Sequence, residues 1–216
     1  MRKPLIIIFV ILLIDQLIKL YVKTHFFLGE EVHVAGNWFI IHFTENNGMA
    51  YGIEFGGNFG KLFLSVFRIV FVAGIAWYLW KLTKEKGDTL YIICISLIFS
   101  GAVGNIIDSV FYGVIFSDSN FEVARFMPEE GGYSSFLHGK VVDMFYFPII
   151  EGHFPDWFPF WGSEEFIFFR PVFNFADASI SIGVAMILLF QKRFFDERKE
   201  VVMEEPAVAA SENKEG

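Results

Sequence analysis

Four long apolar runs constrain this chain more than any other feature. They cover about Pro4–Val22, Leu62–Leu82, Thr89–Asp108 and Val172–Phe190. A helix that crosses a bilayer needs about 20 mostly apolar residues. Each run is close to that length, and each carries only a few polar groups. In hydrocarbon a backbone must satisfy its own hydrogen bonds, so runs of this kind become helices. The expected fold is an all-α membrane protein of four transmembrane helices with a small extracytoplasmic β element. Composition agrees. Of 216 residues, 54% are hydrophobic and 19% charged, and 29 are Phe. Soluble domains carry about a quarter charged residues. The net charge of −8 argues against a nucleic-acid partner.

Orientation follows from the basic residues. Arg2 and Lys3 precede the first run, Lys81, Lys84 and Lys86 link the second to the third, and Lys192, Arg193, Arg198 and Lys199 follow the fourth. Basic residues mark cytoplasmic ends, so both termini are expected inside. The connections at about 23–61 and 109–171 are expected outside. The first run also looks like the start of a secretory signal peptide, but no small-residue cleavage site follows it. It is read as a retained helix within one four-helix unit, residues 1–200. Residues 201–216, rich in Glu and Ala without aromatics, read as a disordered cytoplasmic tail. Val32–Phe43 reads as a hairpin turning at Gly36-Asn37. The aromatic run Phe154–Phe169 suits a membrane interface or a small outer core.

Polar groups inside or beside such helices are expensive, which makes them functional candidates. Ser100-Gly101-Ala102-Val103-Gly104-Asn105-Ile106-Ile107-Asp108 sets Gly101, Asn105 and Asp108 on one face. Its small residues invite close helix packing. Asn174, Asp177 and Ser181 form a second expected stripe; Asn174 or Ser179 could merely cap the helix, but capping does not account for an aspartate set between apolar residues. Asp143 stands alone in Gly139-Lys140-Val141-Val142-Asp143-Met144-Phe145, where a turn residue is the plainer account. The orientation brings Asp108, Asp143 and Asp177 to one outer face. Two carboxylates brought together share a proton, one acting as base and the other as acid. The five histidines show no metal-binding spacing. No GxSxG elbow is present. Cys94, the single cysteine, lies in apolar surroundings.

Five segments, in order, resemble the bacterial lipoprotein signal peptidases (signal peptidase II), aspartic proteases of the inner membrane. Asp15-Gln16-Leu17-Ile18-Lys19 is similar to D-Q-x-x-K, and Asn46-Asn47-Gly48-Met49-Ala50-Tyr51 to N-x-G-x-A-[FY]. Ser100–Asp108 resembles G-G-A-x-G-N-x-x-D, Val141–Met144 resembles V-[VI]-D-F, and Phe173–Asp177 resembles F-N-x-A-D. The resemblance implies that Asp143 and Asp177 are the catalytic pair. It implies that Asn46, Gly48, Gly104, Asn105, Asp108, Asn174 and Ala176 line or brace the site, with Asp15 and Lys19 as a further polar pair. Spacing alone also allows Asp15 and Lys19 a simple intrahelical ion pair. The implied partners are lipidated prolipoproteins, cut before a diacylglyceryl cysteine, and membrane lipid. A monomer is expected in the bacterial inner membrane, with a periplasmic site and neither metal nor cofactor.

Two departures stand out. The family pattern has an arginine after Asp108, where this chain has Ser109. Arg68, inside the second run, is expected to replace part of that charge. The Asp108–Asp143 and Asp143–Asp177 separations are also long, and the extra residues of these aromatic outer segments, the stretch 116–135 among them, are expected to form a lid or a platform resting on the membrane beside the site. Two other classes compete. A small transporter would use intramembrane carboxylates, but its polar groups would continue across the helices. A non-catalytic scaffold would use the same aspartates to bind helices.

Overall fold

The computed structural model describes residues 2–47, 57–148, 150–153, 157, 165–168 and 171–194. Gly48 and the tail 201–216 lie outside the described residues, as does most of the aromatic run Phe154–Phe169. Helix α1 covers Arg2–His25, α2 Gly57–Lys84 and α3 Thr89–Ile107. A π-helical turn, Asp108–Tyr112, continues α3 into a last short turn, α4 (Gly113–Ile115). Strands β1 (Glu31–Ala35), β2 (Phe39–Asn46) and β3 (Val141–Tyr146) form one antiparallel sheet in that order. Strands β4 (Ile150–His153) and β5 (Glu165–Phe168) pair separately. Helix α5 covers Phe175–Leu189.

Three helical stretches, Arg2–His25, Phe59–Lys84 and Thr89–Ile115, are long and apolar enough to cross a membrane. Large side chains such as Leu5, Phe9, Leu13, Phe63, Phe67 and Phe71 are exposed along them, which suits helices solvated by lipid. The fourth apolar run gives a shorter helix than its sequence promised. At 1.5 Å per residue, the 15 residues of α5 span about 22 Å, less than the ~30 Å hydrocarbon core. The reason lies upstream. Phe173 bridges Phe145 of β3 as extended chain, so helix begins only after Asn174.

Helix α3 sits at the centre, packed against α1, α2 and α5. Its glycines allow this. A Cβ on Gly101 would lie 2.3 Å from the Ala176 carbonyl oxygen, and one on Gly183 of α5 would lie 2.8 Å from that of Cys94. At the other end of the connection to α2, Asp88 caps α3 by accepting the Tyr91 N–H, and Arg193 holds the same carboxylate at 2.7 Å.

The hairpin of β1 and β2 forms as its sequence pattern indicated, with Gly36 at φ +52 in the turn. Strand β3 is a surprise relative to the reading of Asp143 as a turn residue. Val-Val-Asp-Met-Phe-Tyr is rich in β-branched and aromatic residues, and that signal was available. The sheet packs Phe43, Val142 and Met144 against Val22, Tyr112, Phe116 and Ala124, a small core at one end of the bundle. Part of the 116–135 stretch joins this core through Phe116 and Ala124, while Phe121 is fully exposed.

Gly101→Val should push α3 off α5. We expect a loss of about 1–3 kcal/mol, typical of overpacking, read as a lower melting temperature in detergent. An unchanged melting temperature would contradict the close approach.

Candidate active site

The site is built where α1, α3, β3 and the start of α5 meet. Its base is a buried cation. Lys19 of α1 is fully buried, and its ammonium lies 3.1 Å from Asp15 and 2.8 Å from Asp108. It also donates to the Asn105 side-chain oxygen at 2.8 Å. Gln16 donates to both Asp15 (3.0 Å) and Asp108 (3.1 Å), while Tyr112 donates to the Gln16 oxygen. Backbone N–H groups complete the shell. Ala176 donates to Asp15 at 2.9 Å and Val142 donates to Asp108 at 3.3 Å. The ion pair of Asp15 with Lys19 is therefore intrahelical, and it is also shared with α3 and α5. Gly104 leaves room for it, since a Cβ there would lie 2.6 Å from Asp15 Oδ2.

Asn105 passes this order on. Its amide donates to Asp177 Oδ1 at 2.8 Å. Asn174 does the same on the other side, donating from Nδ2 to Asp143 Oδ1 at 2.7 Å and to the Asn105 oxygen at 3.1 Å. Asn174 is also the N-cap of α5. Its side chain accepts the Asp177 N–H at 2.9 Å, and Asp177 Oδ2 accepts the Asn174 N–H at 3.3 Å. This reciprocal pair is a capping box. Helix capping thus holds for Asn174, and it accounts for Asp177 too, contrary to the expectation that capping leaves this aspartate unexplained. Ser181 does not belong to the stripe. It is exposed, because Asn174 precedes the helix and is out of its phase.

Asp143 and Asp177 are bridged through one residue, Asn174. Asp143 is 4% exposed. Burial, followed by the neighbouring Asp177 charge, pushes its pKa up to about 7. Hydrogen bonds from Asn174 and Asn46, and the Lys19 charge, oppose that rise. Asn46, at the end of β2, faces Val141 across the sheet.

Asp108 has a cation in Lys19 at 2.8 Å. Arg68 lines a cavity of about 190 Å³ with Phe71, Ala102, Asn105, Ile106 and Asp177. Its charge interacts first with Asp177 and then with Asp143. Ser109 is buried and donates to the Asn105 backbone oxygen at 3.0 Å. No group of three or more His, Cys, Asp or Glu residues that could hold a metal ion occurs among the described residues. Two residues that sequence reasoning passed over are Gln16, which ties the two buried carboxylates, and Tyr112, which orients Gln16. Gln16 lay inside the D-Q-x-x-K match and was therefore findable.

Residues 7–193 match the family described as signal peptidase (SPase) II. A lipoprotein signal peptidase of Porphyromonas gingivalis is 55% identical over 188 residues, which cover 87% of this chain and 81% of the relative. One from Amoebophilus asiaticus is 39% identical over 179 residues, covering 82% and 72%. A bacterial membrane enzyme solved by the in meso method at 2.3 Å superposes with a TM-score of 0.61 at 23% identity, over 91% of this chain and 92% of its own.

Asp143 gives a test by pH. The unfolded chain releases this proton near 3.8, the folded chain near 7. Between these values the folded state binds more protons, so Asp143 makes stability fall as pH rises from about 4 to about 7. Asp143→Asn removes that titration. Relative to wild type, its melting temperature in detergent should rise from pH 4 to pH 8. The underlying energy is about 1.4 kcal/mol per tenfold change in proton affinity. A pH-independent difference would show that Asp143 titrates normally.

Proposed function

The chain belongs to the signal peptidase II family, and from that premise we propose that it is a membrane aspartic endopeptidase cutting lipid-modified prolipoproteins before a diacylglyceryl cysteine. Membership makes it a protease that removes signal peptides from prolipoproteins. The aspartic mechanism rests on one observation above others: Asp143 and Asp177 are joined through Asn174, in a place where Asp143 keeps its proton to about pH 7.

The roles follow from the environments. Asp143 is the acid, buried and protonated near neutrality. Asp177 is the base. It lies in the first turn of α5, accepts hydrogen bonds from Asn105 and the Asn174 N–H, and shares a cavity with Arg68. A helix N-terminus favours negative charge. Asp177 takes a proton from water, whose oxygen attacks the scissile carbonyl carbon. Asp143 gives its proton to the carbonyl oxygen, and a tetrahedral diol forms. On collapse the C–N bond breaks, one diol hydroxyl returns its proton to Asp143 as the carbonyl re-forms, and the proton held by Asp177 passes to the departing nitrogen. Asn174 and Asn105 hold the two carboxylates in line, while Lys19, Asp15 and Asp108 brace Asn105. The site lies at the end of the bundle that carries the three-stranded sheet, which suits a scissile bond near the membrane boundary.

Cleavage of a lipidated prolipoprotein in detergent is the direct test. Asp143→Asn and Asp177→Asn should each lose at least ~100-fold in turnover while remaining folded. A variant that still cuts would remove its aspartate from the dyad.

We place the protein in the bacterial inner membrane with four spans, both termini cytoplasmic and the site facing the periplasm. The basic residues at the bundle's other end support this. Alkaline phosphatase fused after Gly87 should be inactive, and fused after Gly131 active. The reverse pattern would invert the topology.

A further inference from the structure

A second buried charge cluster lies beside the dyad, and the proposed reaction makes no direct use of it. Lys23, one turn beyond Lys19 on α1, is fully buried. Its ammonium pairs with Glu45 of β2, whose side chain is 3% exposed. The other Glu45 oxygen pairs with Lys140 at 3.0 Å. Ser119 accepts from Lys23 at 2.8 Å, and the Tyr133 ring lies 4.8 Å from the Lys23 ammonium. Tyr133 also accepts the Lys140 N–H at 2.7 Å through its hydroxyl.

Stability is a poor reason for such a cluster, because well-packed apolar residues often do as well as a buried ion pair. Position is a better one. Glu45 directly precedes Asn46, the β2 residue bonded to Asp143, and Lys140 directly precedes β3. The β2–β3 pairing is irregular. Ile41 pairs with Phe145 but Thr44 pairs with Asp143, so one extra residue on β2 is unmatched. A one-residue slip would turn Asp143 to the opposite face. Backbone pairing across such an irregularity leaves the register to be fixed by something else. Glu45, opposite Val142, reaches back to Lys140 and down to Lys23 of α1.

We infer that Lys23, Glu45 and Lys140 are positioning residues that lock the β2–β3 register onto α1 and so hold Asp143 and Asn46 in line for the reaction. The inference rests on Asp143 being the catalytic acid. Misplacement of a reacting group by about an ångström can cost up to ~100-fold in rate.

The test uses the full-length enzyme in detergent with a lipidated prolipoprotein. Glu45→Gln should lower kcat roughly 10- to 100-fold with KM within about twofold, in protein that still melts cooperatively. Lys140, 24% exposed on its side chain, gives the safer variant should Glu45→Gln not fold. Lys140→Met should lower kcat several-fold, and Lys140→Arg, which keeps the charge, should restore most of it. A folded Glu45→Gln or Lys140→Met enzyme with wild-type kcat would overturn the inference, as would equal losses in Lys140→Met and Lys140→Arg. Wild-type cleavage and its loss in Asp143→Asn are read in the same assay. They decide the reaction itself, whatever the Glu45 and Lys140 variants do.

Discussion

The structure depends on one buried ammonium. Lys19 stands among Asp15, Asp108 and Asn105, and through them α1, α3, β3 and α5 are joined. A charge in such a place costs several kcal/mol unless it is paired and hydrogen-bonded. Here the partners are two carboxyl groups that share the one ammonium. Gln16 and two backbone N–H groups satisfy the remaining oxygens. The pairing works only with all its members present. Removing one partner from a buried pair typically costs about 3–5 kcal/mol, because the other charge is left alone. The helices are thus set in angle and depth by electrostatics, while the apolar surface outside them is free to meet lipid.

From that base, order passes to the dyad through amides. Asn105 accepts from Lys19 and donates to Asp177, and Asn174 accepts the Asp177 N–H and donates to Asp143. An amide side chain both donates and accepts, so it relays orientation without adding charge. Aspartates in the place of Asn105 and Asn174 would bring four carboxylates together and raise the energy of every ionised state. Asn174 also shows that helix capping and site building are the same set of bonds here. The capping box that starts α5 is what fixes Asp177 beside Asp143.

Much of this was legible in sequence, for identifiable reasons. Long apolar runs announce helices because lipid leaves the backbone no other choice. The hairpin of β1 and β2 was legible from Gly36-Asn37 and its alternation. Asp143 and Asp177 stood out as charges in apolar surroundings. Strand β3 was missed because its six residues are buried in part on both faces, which erases alternation. The capping box was half legible: Asn174 was named as a possible cap, but Asp177 was set apart from capping because both residues were placed on one helical stripe, whereas N-cap geometry puts Asn174 outside the helix. Lys23 and Glu45 were passed over for another reason. A lysine near a helix end usually snorkels to water, and only tertiary structure reveals that the 116–135 stretch closes over this one.

Position 109 shows how packing decides where a cation can be. The family pattern puts an arginine there, next to Asp108. In this chain the backbone at Ser109 is closed in from the outside. Its carbonyl accepts the Gly139 N–H at 2.8 Å, and a Cβ on Gly139 would lie 2.1 Å from the Asp108 carbonyl oxygen. The π-helical turn that begins at Asp108 has the loop around Gly139 packed directly on it. The serine hydroxyl bonds back to the Asn105 carbonyl at 3.0 Å. Asp108 is already neutralised from the other side by Lys19. Arg68 meets the site from α2, across the cavity shared with Asp177. Among the described residues, Lys19 thus stands against Asp108 on one side of Asn105, and Arg68 shares a cavity with Asp177 on the other.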